Sequence, residues 1–202
     1  RQALSLFGVS FPDSDAAQQV ALEREIEAIQ SLLGSRSIAS LIELPVMTDP
    51  EIRMVMNILT TIWSSAYISG NQILTRLISA TMVRLSLIHG NSEESAYGYA
   101  THTITVGPVR EDYESAYEFG LLALAVNEHF NDTRRRAKIY QQFHAHANLW
   151  RRPLESCIPY AREASRSGFE TGDFTYGIYG AFTETWVAIA ITQDLAQFIR
   201  DY

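Results

Sequence analysis

Apolar positions recur every three or four residues along the chain, and alternation with a period of two never lasts more than a few residues. The pattern therefore predicts helices and almost no strand. Asp15 to Leu33 is the first long helix. Val20, Ile26, Ile29 and Leu33 fall on one face, with Glu23, Arg24, Glu25 and Glu27 largely opposite. Asp13 or Ser14 can cap its start and Gly34 its end. Ser37 to Leu44 reads as a shorter helix, stopped before Pro45. Asp49-Pro50 is a strong start signal: the aspartate accepts from orphan amides, and a proline at the first helical position gives up an amide that had no partner. That helix runs to about Ser69, and Asn71 starts another that ends at Gly90. Ser92 to Val106, Asp112 to His129, Thr133 to Leu149, Pro153 to Ser167 and Asp173 to Ile191 complete the series. Linkers this short make consecutive helices antiparallel neighbours. Phe198 to Tyr202 also read as helix, and with Arg1 at the other end both termini look cut from a longer chain.

The junctions carry a repeat. Gly90-Asn91, Asn131-Asp132 and Gly172-Asp173 recur at intervals of 41 residues, and one more step back lands on Asp49-Pro50. Tyr113-Glu114-Ser115-Ala116 steps onto Leu154-Glu155-Ser156-Cys157, Ala96 onto Ala137, Tyr99 onto Tyr140, and Ala123 onto Ala164. A period near 40 with two helices per unit is the mark of an α-solenoid, in which each pair buries its apolar face only against its neighbours. The expected fold is all-α: N-terminal packing helices over residues 1–48, then repeats over 49–89, 90–130, 131–171 and a partial unit over 172–202.

Composition narrows the chemistry. The 202 residues carry a formal charge of −7, with 47% apolar and only 19% charged residues, too apolar for an acidic disordered chain. One cysteine, Cys157, rules out a disulfide scaffold, and its place in a small-residue column marks it as a packing residue. The net charge argues against nucleic acid. Met54 to Thr75 lacks any Asp, Glu, Lys or Arg, but Asn57, Thr60, Thr61 and Ser64 to Gln72 interrupt it, so it reads as two helices meeting at Gly70-Asn71 and not as a membrane span. Arg1 to Gln18 shows no sustained apolar stretch of the signal-peptide kind. The single lysine, Lys138, lies in Arg134-Arg135-Arg136-Ala137-Lys138-Ile139, which excludes a P-loop, and Asp173-Phe174-Thr175 is no kinase magnesium motif. His144 and His146 stand two apart, about 200° around a helix, so they do not make a metal pair; a half-buried His144 and an exposed His146 are expected. No catalytic residue, cofactor or metal is assigned.

The run Asp112 to Phe119, with Ala123 seven residues after Ala116, resembles the second helix of a tetratricopeptide repeat, where small residues seven apart let two helices press close. The period of 41 is longer than that family's 34, so "tetratricopeptide-like" is the extent of the likeness, and a HEAT-type stack stays open. Met47-Thr48-Asp49-Pro50, Met82 to Ser92 and Asn148 to Leu154 resemble a helical region of very large bacterial signalling proteins. In those chains a Ser/Thr-kinase-like domain and a P-loop ATPase precede this region, and a GAF sensor and often a histidine kinase follow it. The resemblance implies a cytoplasmic connector or interaction segment. None of the five histidines is followed by an acid, as that family's phosphoacceptor is.

The tetratricopeptide likeness also implies a concave groove lined by the first helix of each pair. The stripe it nominates is Tyr97, Thr101, Arg135, Lys138, Gln142, Tyr176, Tyr179 and Thr183, with Ser95 and Glu94 beside it. Tyr99, Ala100, Thr103, Tyr140, Gln141, His144, Ala181, Phe182 and Thr185 are expected between helices. Arg134, Arg136, Arg151 and Arg152 join Arg135 and Lys138 in the only basic concentration. It reads either as a site for an acidic partner or as a solvated face opposite Glu93, Glu94 and Glu155. The expected function is a non-enzymatic scaffold that binds a protein, a peptide or the flanking domains of its own chain, with a homodimer possible. The alternative is a ligand- or peptide-sensing domain that regulates those neighbours.

Overall fold

The structure, a computed structural model, describes residues 2–192 together with Ala196 and Ile199. Among the described residues it is all-α: α1 (Gln2–Ser5), α2 (Asp15–Leu33), α3 (Pro50–Ile68), α4 (Gln72–His89), α5 (Glu93–Val106), α6 (Tyr113–Phe130), α7 (Thr133–His146), α8 (Ile158–Thr171) and α9 (Phe174–Ile191). Of the expected segment Phe198 to Tyr202 all but Ile199 lie outside the described residues, as does most of the chain after Thr192.

The caps explain most boundaries. Ser14, Asp49, Asn71, Asp112 and Asp132 each accept a backbone N–H from the first turn of the helix they precede. Ser92 and Ser95 cap α5 reciprocally. Three junctions share one device: Gly90 (φ +94°), Asn131 (φ +50°) and Gly172 (φ +79°) all adopt positive φ at a helix end. Gly90 is doubly constrained, because a Cβ there would stand 2.0 Å from the Pro45 carbonyl oxygen. Here the chain after α2 crosses the α4–α5 turn, with Met47 N–H donating to Asn91 O at 2.7 Å and Asn91 N–H to Pro45 O at 2.8 Å. Asn91 also donates to Leu41 O and accepts from Tyr99, so the crossing is held by side chain as well as backbone.

Four expectations need correction. Ser37 to Leu44 forms a 3-10 helix, Ile38–Glu43, held by i to i+3 bonds and not an α-helical turn. The helix from Thr133 stops at His146, and a 3-10 turn, Asn148–Trp150, follows. The helix expected from Pro153 begins only at Ile158, after a second 3-10 turn, because Pro159 in the first turn of α8 is the real start signal. Val20 is exposed; the buried face of α2 is Gln18, Leu22, Ile26 and Ile29, with the Gln18 amide donating to Pro12 O.

Each helix packs on its successor from α3 to α9, and α3, α5, α7 and α9 also touch in order, α3 on α5, α5 on α7 and α7 on α9. α2 lies on α4, with Arg84 and Glu25 paired at 2.5 Å. The uncharged run from Met54 buries one face, Val55, Met56, Leu59, Thr60, Trp63 and Ala66, and leaves Met54, Tyr67 and Ile68 exposed, and no described helix is long and apolar enough to cross a membrane. α5 sits at the centre of the core, with Ala96, Tyr97, Tyr99 and Ala100 without exposed surface.

Candidate functional site

Three adjoining clefts open where α3, α5, α7 and α9 meet. The first, about 480 Å³, lies between α3, α7 and α9. From α3 it takes Trp63, Ser64, Tyr67 and Ile68; from α7, Lys138, Gln141, Gln142 and His146. Asp173, Thr175, Tyr176 and Tyr179 at the start of α9 complete it. The second, about 490 Å³, lies between the N-terminal ends of α3, α5 and α7 around Arg53, Glu93, Glu94 and Arg134. The third, about 350 Å³, joins them through Asn57, Ser64, Arg134 and Lys138.

The first cleft has aromatic walls. On α3, Trp63 and Tyr67, one helical turn apart, stack at 5.2 Å and 11°. Trp63 is fixed by a buried relay: its indole donates to Ser79 of α4 at 2.8 Å, Ser79 to Thr101 of α5 at 2.9 Å, and Thr101 to the Tyr97 carbonyl at 2.9 Å. On α9, Tyr176 and Tyr179 meet edge to face. Lys138 reaches across to Asp173 at 3.4 Å and lies over the Tyr176 ring at 5.3 Å, so the two charges at the rim offset each other. Burial lowers the pKa of His146 to about 4, so its imidazole is neutral at pH 7.

Beneath this cleft lies Tyr97 of α5, with 0% of its surface exposed. Its ring meets Trp63 edge to face at 5.5 Å. The hydroxyl is turned toward Ser64 and Tyr176, both of which line the cleft, with Asp173 further off. Burial pushes its pKa well up, so it is a neutral hydroxyl. The side-chain carbonyl oxygen of Gln142 is buried and unpartnered.

The nominated stripe is thus split. Lys138, Gln142, Tyr176 and Tyr179 converge on one cleft. Tyr97 lies under the groove and Thr101 in the relay behind it, so neither is on the groove surface. Thr183 is half-buried and lines none of the three clefts. Arg135 is buried in a network, donating to Asp132 at 2.6 Å and to Glu94 of α5 at 2.5 Å. The other basic residues do not gather on one surface. Arg134 is exposed at the groove, while Arg136 pairs with Glu128, Arg151 with Glu114, and Arg152 donates to the Tyr117 hydroxyl and lies over its ring. His144 is fully buried and His146 half-buried, each one step more enclosed than expected; Phe182, expected between helices, is 60% exposed. Cys157 is buried, against Asn148. No three metal-ligating side chains gather among the described residues.

The α3 wall was missed because the groove was laid only on α5, α7 and α9. The signal was present: Trp63 and Tyr67, four apart inside a run without charge, place two aromatic rings on one helix face. No protein-family model, no curated protein and no solved structure matches this chain.

Proposed function

We propose that this chain is a tetratricopeptide-like α-solenoid with a period near 41 residues, serving as a non-enzymatic, cytoplasmic interaction segment of a bacterial multidomain sensor kinase or ATPase. α3, α5, α7 and α9 are the inner helices and α4, α6 and α8 the outer ones. The pairwise packing supports this order, as does the Glu94–Arg135 pair, which joins two positions 41 apart on neighbouring inner helices. The groove receives an extended peptide from a partner or from a flanking domain. The observation that carries the reading is that all three adjoining clefts open among the inner helices, with Arg134, Lys138 and Tyr179 accessible along them.

A displayed random-peptide library selected against the chain tests this. Enrichment of a shared motif is expected, and it should vanish against an Arg134→Glu, Lys138→Glu, Tyr179→Ala variant that keeps its helical circular dichroism. Enrichment equal on both proteins, or none on either, removes the groove reading.

A further inference from the structure

We propose that the groove takes an extended peptide segment bearing an acidic and an aromatic side chain about three residues apart, the acid beside Arg134 and the ring between Tyr67 and Tyr179. This pattern rests on the peptide reading above and adds to it which side chains are read and at what spacing.

The three clefts follow one another along α3 and α7. From the charged end to the aromatic end, α3 contributes Arg53, then Thr61, then Tyr67, and α7 contributes Arg134, then Lys138, then His146. The third cleft shares Arg134 with the second and Ser64 and Lys138 with the first, so the channel is continuous. α3 and α7 both pack on α5, and the channel runs between them over it. Arg134 to His146 spans roughly 18 Å of helix axis, which an extended chain at about 3.3 Å per residue fills with roughly five or six residues.

Charge sets one end of the channel apart. Arg53 pairs with Glu93 at 3.2 Å, Arg135 with Glu94 at 2.5 Å and Lys138 with Asp173 at 3.4 Å. Among the described residues Arg134 meets a carboxylate only at 3.8 Å, that of Asp132, which already holds Arg135 at 2.6 Å. The Arg134 side chain is exposed, and no carboxylate is among the described residues that line the third cleft. One uncompensated cation there favours one acidic side chain. An ion pair this exposed fixes register more than it adds strength.

At the other end the accessible surface is aromatic. Tyr67 and Tyr179 are both exposed and stand on opposite walls, α3 and α9, of a cleft of about 480 Å³. Trp63, held by its bond to Ser79, backs the Tyr67 ring, so that wall is formed before any peptide arrives. The Lys138–Asp173 pair and the neutral His146 leave no free charge in this cleft. A peptide ring can lie against the tyrosine faces and bury apolar area there, the usual role of an aromatic anchor. Arg134 and Gln141, which lines this cleft, lie two turns apart on α7. That is roughly 11 Å, or about three residues of extended chain.

The displayed-peptide selection tests the pattern when each peptide is held inside a carrier loop, so that no free carboxyl terminus is offered. The expected motif carries Asp or Glu and, about two to four residues away, Trp, Tyr or Phe. The best peptide, amidated and labelled, is then titrated by fluorescence polarisation. Tyr67→Ala should weaken it at least about 10-fold, and Arg134→Gln roughly 3- to 5-fold. Replacing the peptide's acid by its amide should cost the same roughly 3- to 5-fold, and that change should add nothing on Arg134→Gln. Replacing the peptide's ring by alanine reads the aromatic contact without touching the fold. Selection equal on the parent and on the triple variant removes the peptide reading itself. A motif that the triple variant abolishes, but that lacks the acid or the ring, keeps the groove and overturns the pattern. Unchanged binding by Arg134→Gln, by Tyr67→Ala or by the peptide without its ring overturns it as well.

Discussion

α5 and α9 each follow a glycine junction, Gly90-Asn91 and Gly172-Asp173, yet their environments are nearly opposite. α5 is rich in polar residues, and Glu94, Ser95, Thr101, His102, Thr103 and Thr105 are all buried. α9 is mostly apolar, and Phe174, Ile178, Phe182, Trp186 and Ile189 are all exposed. The difference lies in the neighbours. Among the described residues α5 is enclosed by α3, α4, α6 and α7, whereas α9 packs mainly on α7, α8 and the turn before α8. Most of these polar groups are met by partners, since Ser86 donates to Ser95 at 2.7 Å, Ser79 to Thr101, Arg135 to Glu94 and Thr103 to the Ala100 carbonyl, while His102 Nδ1 and Thr105 Oγ1 are buried without one. The number of neighbouring helices, more than hydrophobicity, decides what is buried.

The largest break in this comparison should come from the charged pair. Arg135→Ala leaves Glu94 buried without its cation and Asp132 with only the exposed Arg134 at 3.8 Å, and should cost about 3–5 kcal/mol in urea unfolding. Tyr176 is the α9 counterpart 41 residues on, and Tyr176→Ala should cost about 1 kcal/mol, the worth of its contact with Lys138. Equal losses at the two positions would show that α9 is as enclosed as α5.

Acid should act on the centre too. Burial, aided by the positive charge of Arg110, lowers the pKa of His102 from 6.5 to about 4. Between those values the unfolded chain binds the proton and the folded chain does not. The contribution is therefore complete above pH 6.5 and is lost as the pH falls toward 4. The slope from His102 approaches about 1.4 kcal/mol per pH unit. His144 and His146, lowered to about 3 and about 4, act in the same direction, while α9 has no histidine. Urea midpoints at pH 7 and pH 5 should differ less in His102→Gln than in the parent. An unchanged difference would mean that the His102 imidazole reaches water.

Helix positions were legible because capping chemistry is local. Ser14, Asp49-Pro50, Asn71 and Asp112 announce their helices from the sequence, and Asp15–Leu33 is recovered to the residue. Where two local signals compete, the reading slipped: Pro153 looked like a start, but Pro159 lies in the true first turn. The groove was half legible. Spacing found Lys138, Gln142, Tyr176 and Tyr179, since all lie on one stripe of α7 and α9. It put Tyr97 and Thr101 on the surface because the same stripe on α5 is covered, Tyr97 by Trp63 of α3 and Thr101 by Ser79 of α4. Coverage is a tertiary fact, and no periodicity within α5 encodes it. The buried Arg135 looked like part of a solvated basic run for the same reason: its partner Glu94 is 41 residues away.

The smallest effect is the sharpest probe of how the two ends of the stack differ. Ala96, Ala137 and Ile178 stand 41 apart, and the first two are fully buried while Ile178 is 56% exposed. A glutamate at Ala137 would place an unpaired charge in the packed interior, which proteins do not tolerate without large loss. Ile178→Glu should change stability by no more than about 0.5 kcal/mol, because it exchanges one solvated side chain for another. It should also raise solubility, since Ile178, Phe182 and Trp186 lie together on the exposed face of α9 and contiguous apolar surface favours association. Urea unfolding and sedimentation of the parent and Ile178→Glu chains read both effects. A stability loss in Ile178→Glu, accompanied by a change from dimer to monomer, would show that a second copy covers α9 in solution and gives it the enclosure that α5 obtains within the chain.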